Sequence, residues 1–91
     1  MTDTMAEALL APLKIDLGIS SNAFDTRLLA RIQTAAQRIA EAGITLNDSP
    51  ADQDLVLMYA GWLWTNRHTG APMPRMLQYT LHSRLFGEKA R

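Results

Sequence analysis

The groups in this 91-residue chain that could do chemistry are two histidines, His68 and His82, and three neighbouring aspartates, Asp48, Asp52 and Asp54. A histidine becomes a useful base or metal ligand when a carboxylate or second imidazole shares its face, at i+3 or i+4 on a helix. Neither histidine has such a neighbour. The aspartates lack the alternating oxygen ligands, turn glycine and closing glutamate of a calcium loop, and they stand where a helix start favours acids. With no cysteine, thiolate nucleophiles, thiolate zinc sites and disulfides are excluded. No G-x-x-x-x-G-K-[ST], G-x-G-x-x-G or G-x-S-x-G stretch occurs. The expectation is a protein that is not an enzyme, with no cofactor and no metal.

The elements that must carry these residues read as four helices joined by short polar turns, an all-α compact bundle. One domain is expected over residues 1–86, with a flexible tail at 87–91. Met5, Leu9, Leu10, Leu13 and Leu17 follow helical spacing over about residues 4–17. Pro12 predicts a kink or break near Leu10 and Ala11, and Gly18 a stop. Ser20, Ser21 and Asn22 are cap candidates for a second helix that runs to about Ala42, with Phe24, Leu28, Ile32, Ala35 and Ile39 as its apolar line. Arg27, Arg31, Thr34 and Arg38 form a separate line, a solvated face first and a partner contact as the alternative. Ser49-Pro50-Ala51-Asp52 is a strong start signal for a third helix reaching Arg67 or His68. A fourth begins at Pro74, with Met76, Leu77, Leu81 and Leu85 or Phe86 as its apolar side.

The third helix is the anomaly, because Leu55 to Trp64 are apolar or glycine without interruption. A chain this short buries only about 60–65% of its unfolded surface, so it cannot easily surround one helix. Residues two apart are turned by about 200°, so Trp62 and Trp64 cannot both enter one core. Leu55, Met58, Tyr59 and Trp62 are assigned to packing on the first two helices. Leu57, Ala60, Gly61 and Trp64 form the other face, expected to meet the fourth helix or a second subunit, with Trp64 at or beside the subunit interface.

Nine basic and nine acidic residues balance, which argues against strong nonspecific nucleic-acid binding. Their distribution is uneven: residues 1–54 give 4 − 8 = −4 and residues 55–91 give 5 − 1 = +4. Such a split reads either as chance and solvated helix faces or as an acidic face of one copy meeting a basic face of another. Arg67, Arg75 and Arg84 are the expected basic contributors, and the candidate interface is Leu57, Gly61, Trp64, Arg67, Arg75 and Arg84. The longest apolar run is about half of what crosses a bilayer, and MTDTMAEALL has acids where a secretory signal carries lysine or arginine. A soluble, intracellular chain with no membrane partner is expected.

The order of several stretches resembles the small head-tail connector proteins of tailed bacteriophages and prophages, also labelled DNA-packaging proteins. The likeness spans about residues 9–86. It rests on LK-x-x-LGI (Leu13, Lys14, Leu17, Gly18, Ile19), the F-D-x-x-L-L helix from Phe24 to Ile39, the W-L-W-T-N-R helix end (Trp62–Arg67) and M-P-x-x-L (Met73, Pro74, Leu77). The resemblance implies a structural subunit without an active site. It assembles with itself into a ring, dodecameric to match the portal protein beneath which it sits. It helps retain packaged DNA, which passes through without sequence-specific binding, and docks the tail or a stopper protein. It also implies a place at the head-tail junction of the virion, and in the host cytoplasm during assembly. The alternative is a small helical DNA-binding or protein-binding adaptor module.

Overall fold

The computed structural model describes residues 3–47 and 49–89. They form four helices, α1 (Asp3–Leu17), α2 (Asp25–Glu41), α3 (Pro50–Thr65) and α4 (Arg75–Lys89), with no strand among the described residues. The all-α bundle expected from the periodicity is what the chain adopts.

Two glycines end the first two helices by the same hydrogen-bond pattern. Gly18, at φ +70°, donates to the Ile15 carbonyl, and Ile19 donates to that of Lys14. Gly43, at φ +106°, donates to the Ala40 carbonyl, and Ile44 to that of Ile39. In this Schellman arrangement a left-handed residue lets the chain fold back onto its own last carbonyls, a conformation that side chains with a Cβ resist. At Gly43 a second constraint applies, since an added Cβ would lie 3.1 Å from Leu85 Cδ1 of α4.

α3 starts as its sequence signals dictate. Ser49 is extended at the cap position, its hydroxyl accepts from the Asp52 backbone N–H, and Pro50 fills the first position, where no donor is needed. The start of α2 departs from expectation. Phe24 occupies the cap position without a side-chain cap, Ser21 accepts from the Ala23 N–H, and Asn22 accepts from Lys14 Nζ. The polar residues shape the turn, and a Lys14–Asp25 ion pair at 2.9 Å closes it.

Other boundaries shift modestly. α1 runs through Pro12 without a break. The lost hydrogen bond costs a few kcal/mol in an isolated helix, but Ala6, Leu9 and Leu13, fully buried to either side of the proline, hold both turns against the core. α3 ends at Thr65, where Asn66 caps it by donating through both N and Nδ2 to the Trp62 carbonyl, while its own carbonyl accepts the Thr69 N–H of the following turn. Pro74 precedes α4, its carbonyl receiving the Gln78 N–H. α4 continues past Gly87 to Lys89, where the sequence suggested a tail; residues 90 and 91 lie outside the described residues.

The helices alternate in direction. The start of α1 meets Gln53 at the start of α3, the start of α2 meets Trp64 at the end of α3, and Arg84 late in α4 meets Asp52 early in α3. α1, α2 and α3 pack on one another around Leu13, Leu28, Ile32, Ile39, Leu55 and Val56, all fully buried. Each such side chain contributes about 1.5–3 kcal/mol by leaving water. α4 packs mainly on α3, through Leu77 with Leu81 and Leu85.

Candidate functional site

The structure reverses the assignment of the two tryptophans. Trp64 is 7% exposed and belongs to the intramolecular core. Its ring meets Phe24 edge-on at 5.5 Å, and the Arg67 guanidinium lies over it at 3.9 Å from the ring centre. Arg67 Nη1 also donates to the Trp64 carbonyl, which accepts the Arg67 backbone N–H as well. Trp64 therefore faces the start of α2, and is not an open interface residue. Trp62, assigned to that core, is half-buried on the opposite side, edge-on to Tyr59 at 5.8 Å. Its indole Nε1 is buried with no acceptor among the described residues. Met58, placed with it in the core, is exposed. The 200° separation was sound, but α3 is apolar all round, so periodicity alone did not say which face turned inward.

On the Trp62 side an open apolar groove of about 350 Å³ runs along α3. Leu17 of α1 forms one wall, Met58, Gly61 and Trp62 the floor, and Pro74, Met76 and Leu77 the other wall. A Cβ at Gly61 would stand 3.9 Å from Leu13 Cδ1, an ordinary contact, so the glycine lowers the floor without being required by the fold. The groove continues past Leu57 to Asp16 and Asp54, which give that end an acidic rim. The outer face of α4 lies bare nearby. Arg75, Tyr79, His82 and Phe86, at steps of four, three and four, share it and are all exposed, as is Met76.

The expected basic contributors separate. Arg75 is exposed at the first turn of α4. Arg67 is held on Trp64. Arg84 is committed inside the molecule: its Nη1 bridges to Oδ1 of Asp52, which is only 2% exposed. The other carboxylate oxygen, Oδ2, accepts from the Asn47 backbone N–H at 2.8 Å. Burial pushes the Asp52 carboxyl up, but the Asn47 N–H, the Arg84 guanidinium and the Ser49 hydroxyl together hold it below the usual carboxylate range. The charge split of the sequence is thus partly cancelled within one chain, by a pair that ties α4 to the connector and the α3 start.

Of the remaining candidates, Leu57 and Gly61 line the groove, as proposed for an interface face. Asp48 lies outside the described residues. No group of three or more His, Asp or Glu able to hold a metal occurs among the described residues. Among the described residues no helix is long and apolar enough to cross a membrane. A feature the periodicity missed is a second cleft, lined by Arg27, Arg31, Arg67 and His68 beside Trp64. Its signal in the sequence is the i, i+4 arginine pair, which was read as a solvated face.

Comparison of the chain with protein families, with curated proteins and with solved structures gives no match.

Proposed function

We propose that this chain is a structural ring subunit, a head-tail connector that sits beneath the portal of a tailed phage or prophage and docks the tail or a stopper protein. The observation that carries the proposal is the apolar groove along α3, left open between α1 and the start of α4 beside the bare stripe on α4. A chain that folds only for itself gains nothing from four large apolar side chains, Ile15, Met76, Tyr79 and Phe86, each at least 70% exposed. Apolar surface of this kind marks interaction sites.

The two surfaces also differ in the way a ring requires. The groove carries an acidic rim, Asp16 and Asp54, and the stripe carries Arg75 at its start and His82 between its two aromatic residues. Contacts between two different surfaces of one chain are head-to-tail, and they close when the rotation per copy divides the circle. Opposite charge at the rims favours that register over like-with-like pairing. The resemblance of several stretches to connector proteins suggests the portal and the tail or stopper as partners, twelve copies to match the portal, and DNA passing through. The subunit works by filling and closing a junction, without catalysis.

Mass measurement over a range of concentrations, with and without the portal protein encoded with it, tests the reading. Expected are a monomer or small oligomer alone and a ring on the portal. A chain that stays monomeric at every concentration and ignores the portal overturns it.

A further inference from the structure

A second cleft, at the α2–α3 junction, gathers basic side chains away from the groove. Its volume is about 390 Å³, and its lining is Arg27, Ala30, Arg31, Trp64, Arg67 and His68. Three arginines and a histidine line it with no carboxylate among the lining residues, and none of the three arginines makes an ion pair among the described residues. The two ion pairs of the described residues draw on Lys14 and Arg84 instead. Like charges gathered without a counter-charge repel one another, and that cost is relieved when an anion enters.

We infer that this cleft binds the phosphodiester backbone of nucleic acid, without reading sequence. Arginine presents a planar fork of donors that fits phosphate oxygens in pairs. Arg27 and Arg31 stand one turn apart, about 6 Å along the helix, so their forks reach different phosphates of one strand. Arg67 is already held by its contact over the Trp64 ring and its bond to the Trp64 carbonyl, so little freedom is lost when it takes a ligand.

An acidic protein surface is the competing ligand class, and the lining argues against it. Protein interfaces are anchored by aromatic or aliphatic side chains at their centre. The one large apolar group here, Trp64, is covered by Phe24 and Arg67 and offers no anchor. The same covering leaves no ring face for a base to stack on. What remains is positive charge without shape for a side chain or a base, which is the chemistry of backbone contacts. The lining comes from a single chain, so the inference stands apart from ring formation.

The test is a salt titration of the isolated chain with a short mixed-sequence DNA duplex. Each phosphate contact contributes about 0.9 to the slope of log affinity against log salt, so three arginines give a slope of about −3. R27A/R31A should reduce it to about −1. R27K/R31K, which keeps the charges, should stay near the wild-type slope. R38A, on the same helix but outside the cleft, should match the wild type. Circular dichroism checks that each variant remains helical; if R27A/R31A does not, the single R27A and R31A variants replace it, each lowering the slope by about 1. No binding at low salt, a slope unchanged in the folded arginine-to-alanine variants, or polyglutamate bound as tightly as the duplex would each overturn the inference.

Discussion

α4 carries more large apolar side chains than α2, yet it buries fewer. In α2, Leu28, Ile32 and Ile39 vanish entirely, with Ala35 and Ala36 between them. In α4 only Leu77 does so; Leu81 and Leu85 are partly covered, and Met76, Tyr79 and Phe86 face outward. The two helices differ in arrangement, not in supply. The apolar residues of α2 recur at three and four and fall on one side. Those of α4 fall on two opposite sides, one for α3 and one for something else. The proposed function gives the second apolar side of α4 its use outside the fold. The same holds for α3, whose third side is the groove.

The contrast is tested first where it should be largest. Trp64→Ala empties a core site on the α2 side and should cost about 3–5 kcal/mol of stability, read by denaturant unfolding. Trp62→Ala, on the half-buried groove side, should cost clearly less and weaken assembly more. Equal losses would mean that the two faces of α3 are alike after all.

The next effect concerns what fastens α4. Arg84→Met leaves the Asp52 carboxylate buried with only its Asn47 and Ser49 partners. Breaking a buried pair costs about 3–5 kcal/mol, and the result here should lie near the lower end because Arg84 is partly exposed. The loss should loosen α4 before α2, visible as faster amide exchange in residues 75–89. The same pair sets an acid response. The folded carboxyl of Asp52 is held below its unfolded value, so its stabilisation is complete above about pH 4 and is lost as pH falls through the lower, folded value. Asp52→Asn should remove that part of the acid sensitivity in unfolding curves taken from neutral pH downward. An unchanged acid limb would show that the pair contributes nothing to it.

How much of this was legible depended on range. Gly18, Gly43 and Ser49-Pro50 announced helix ends because a cap or a left-handed turn is decided within a few residues. α2 announced its buried side because its polar and apolar residues separate cleanly. α3 did not, because any side of an all-apolar helix satisfies the periodicity and only its neighbours choose among them. Phe24 gave no warning either, since an aromatic residue at a cap position is understood only when Trp64 stands opposite. Pro12 was read by its local cost, which the packing of Leu9 and Leu13 outweighs. Asp52 was legible as a residue of a helix start, whereas its pairing with Arg84 joins distant parts of the chain. Leu57 and Gly61 line surface clefts on a side of α3 left open, whereas Trp64, on the same face by spacing, is buried against Phe24.

The smallest effect on folding should come from Tyr79→Glu. An exposed substitution of this kind shifts stability by about 0.5 kcal/mol or less, while a charge in the middle of the α4 stripe should abolish ring formation. A variant that assembles normally would remove the stripe from the interface.

Hydrogen exchange of the isolated chain and of the chain on its portal tests the two-sided reading most directly. In the isolated chain, amides of α4 should exchange faster than those of α2, because α4 has few fully buried contacts. On the portal, protection should rise in residues 75–86 and along the groove at 57–62, and change little in the α2 core. Protection that rises elsewhere, with α4 and the groove exchanging as they do in the free chain, would contradict the claim that these are the surfaces on which the protein assembles.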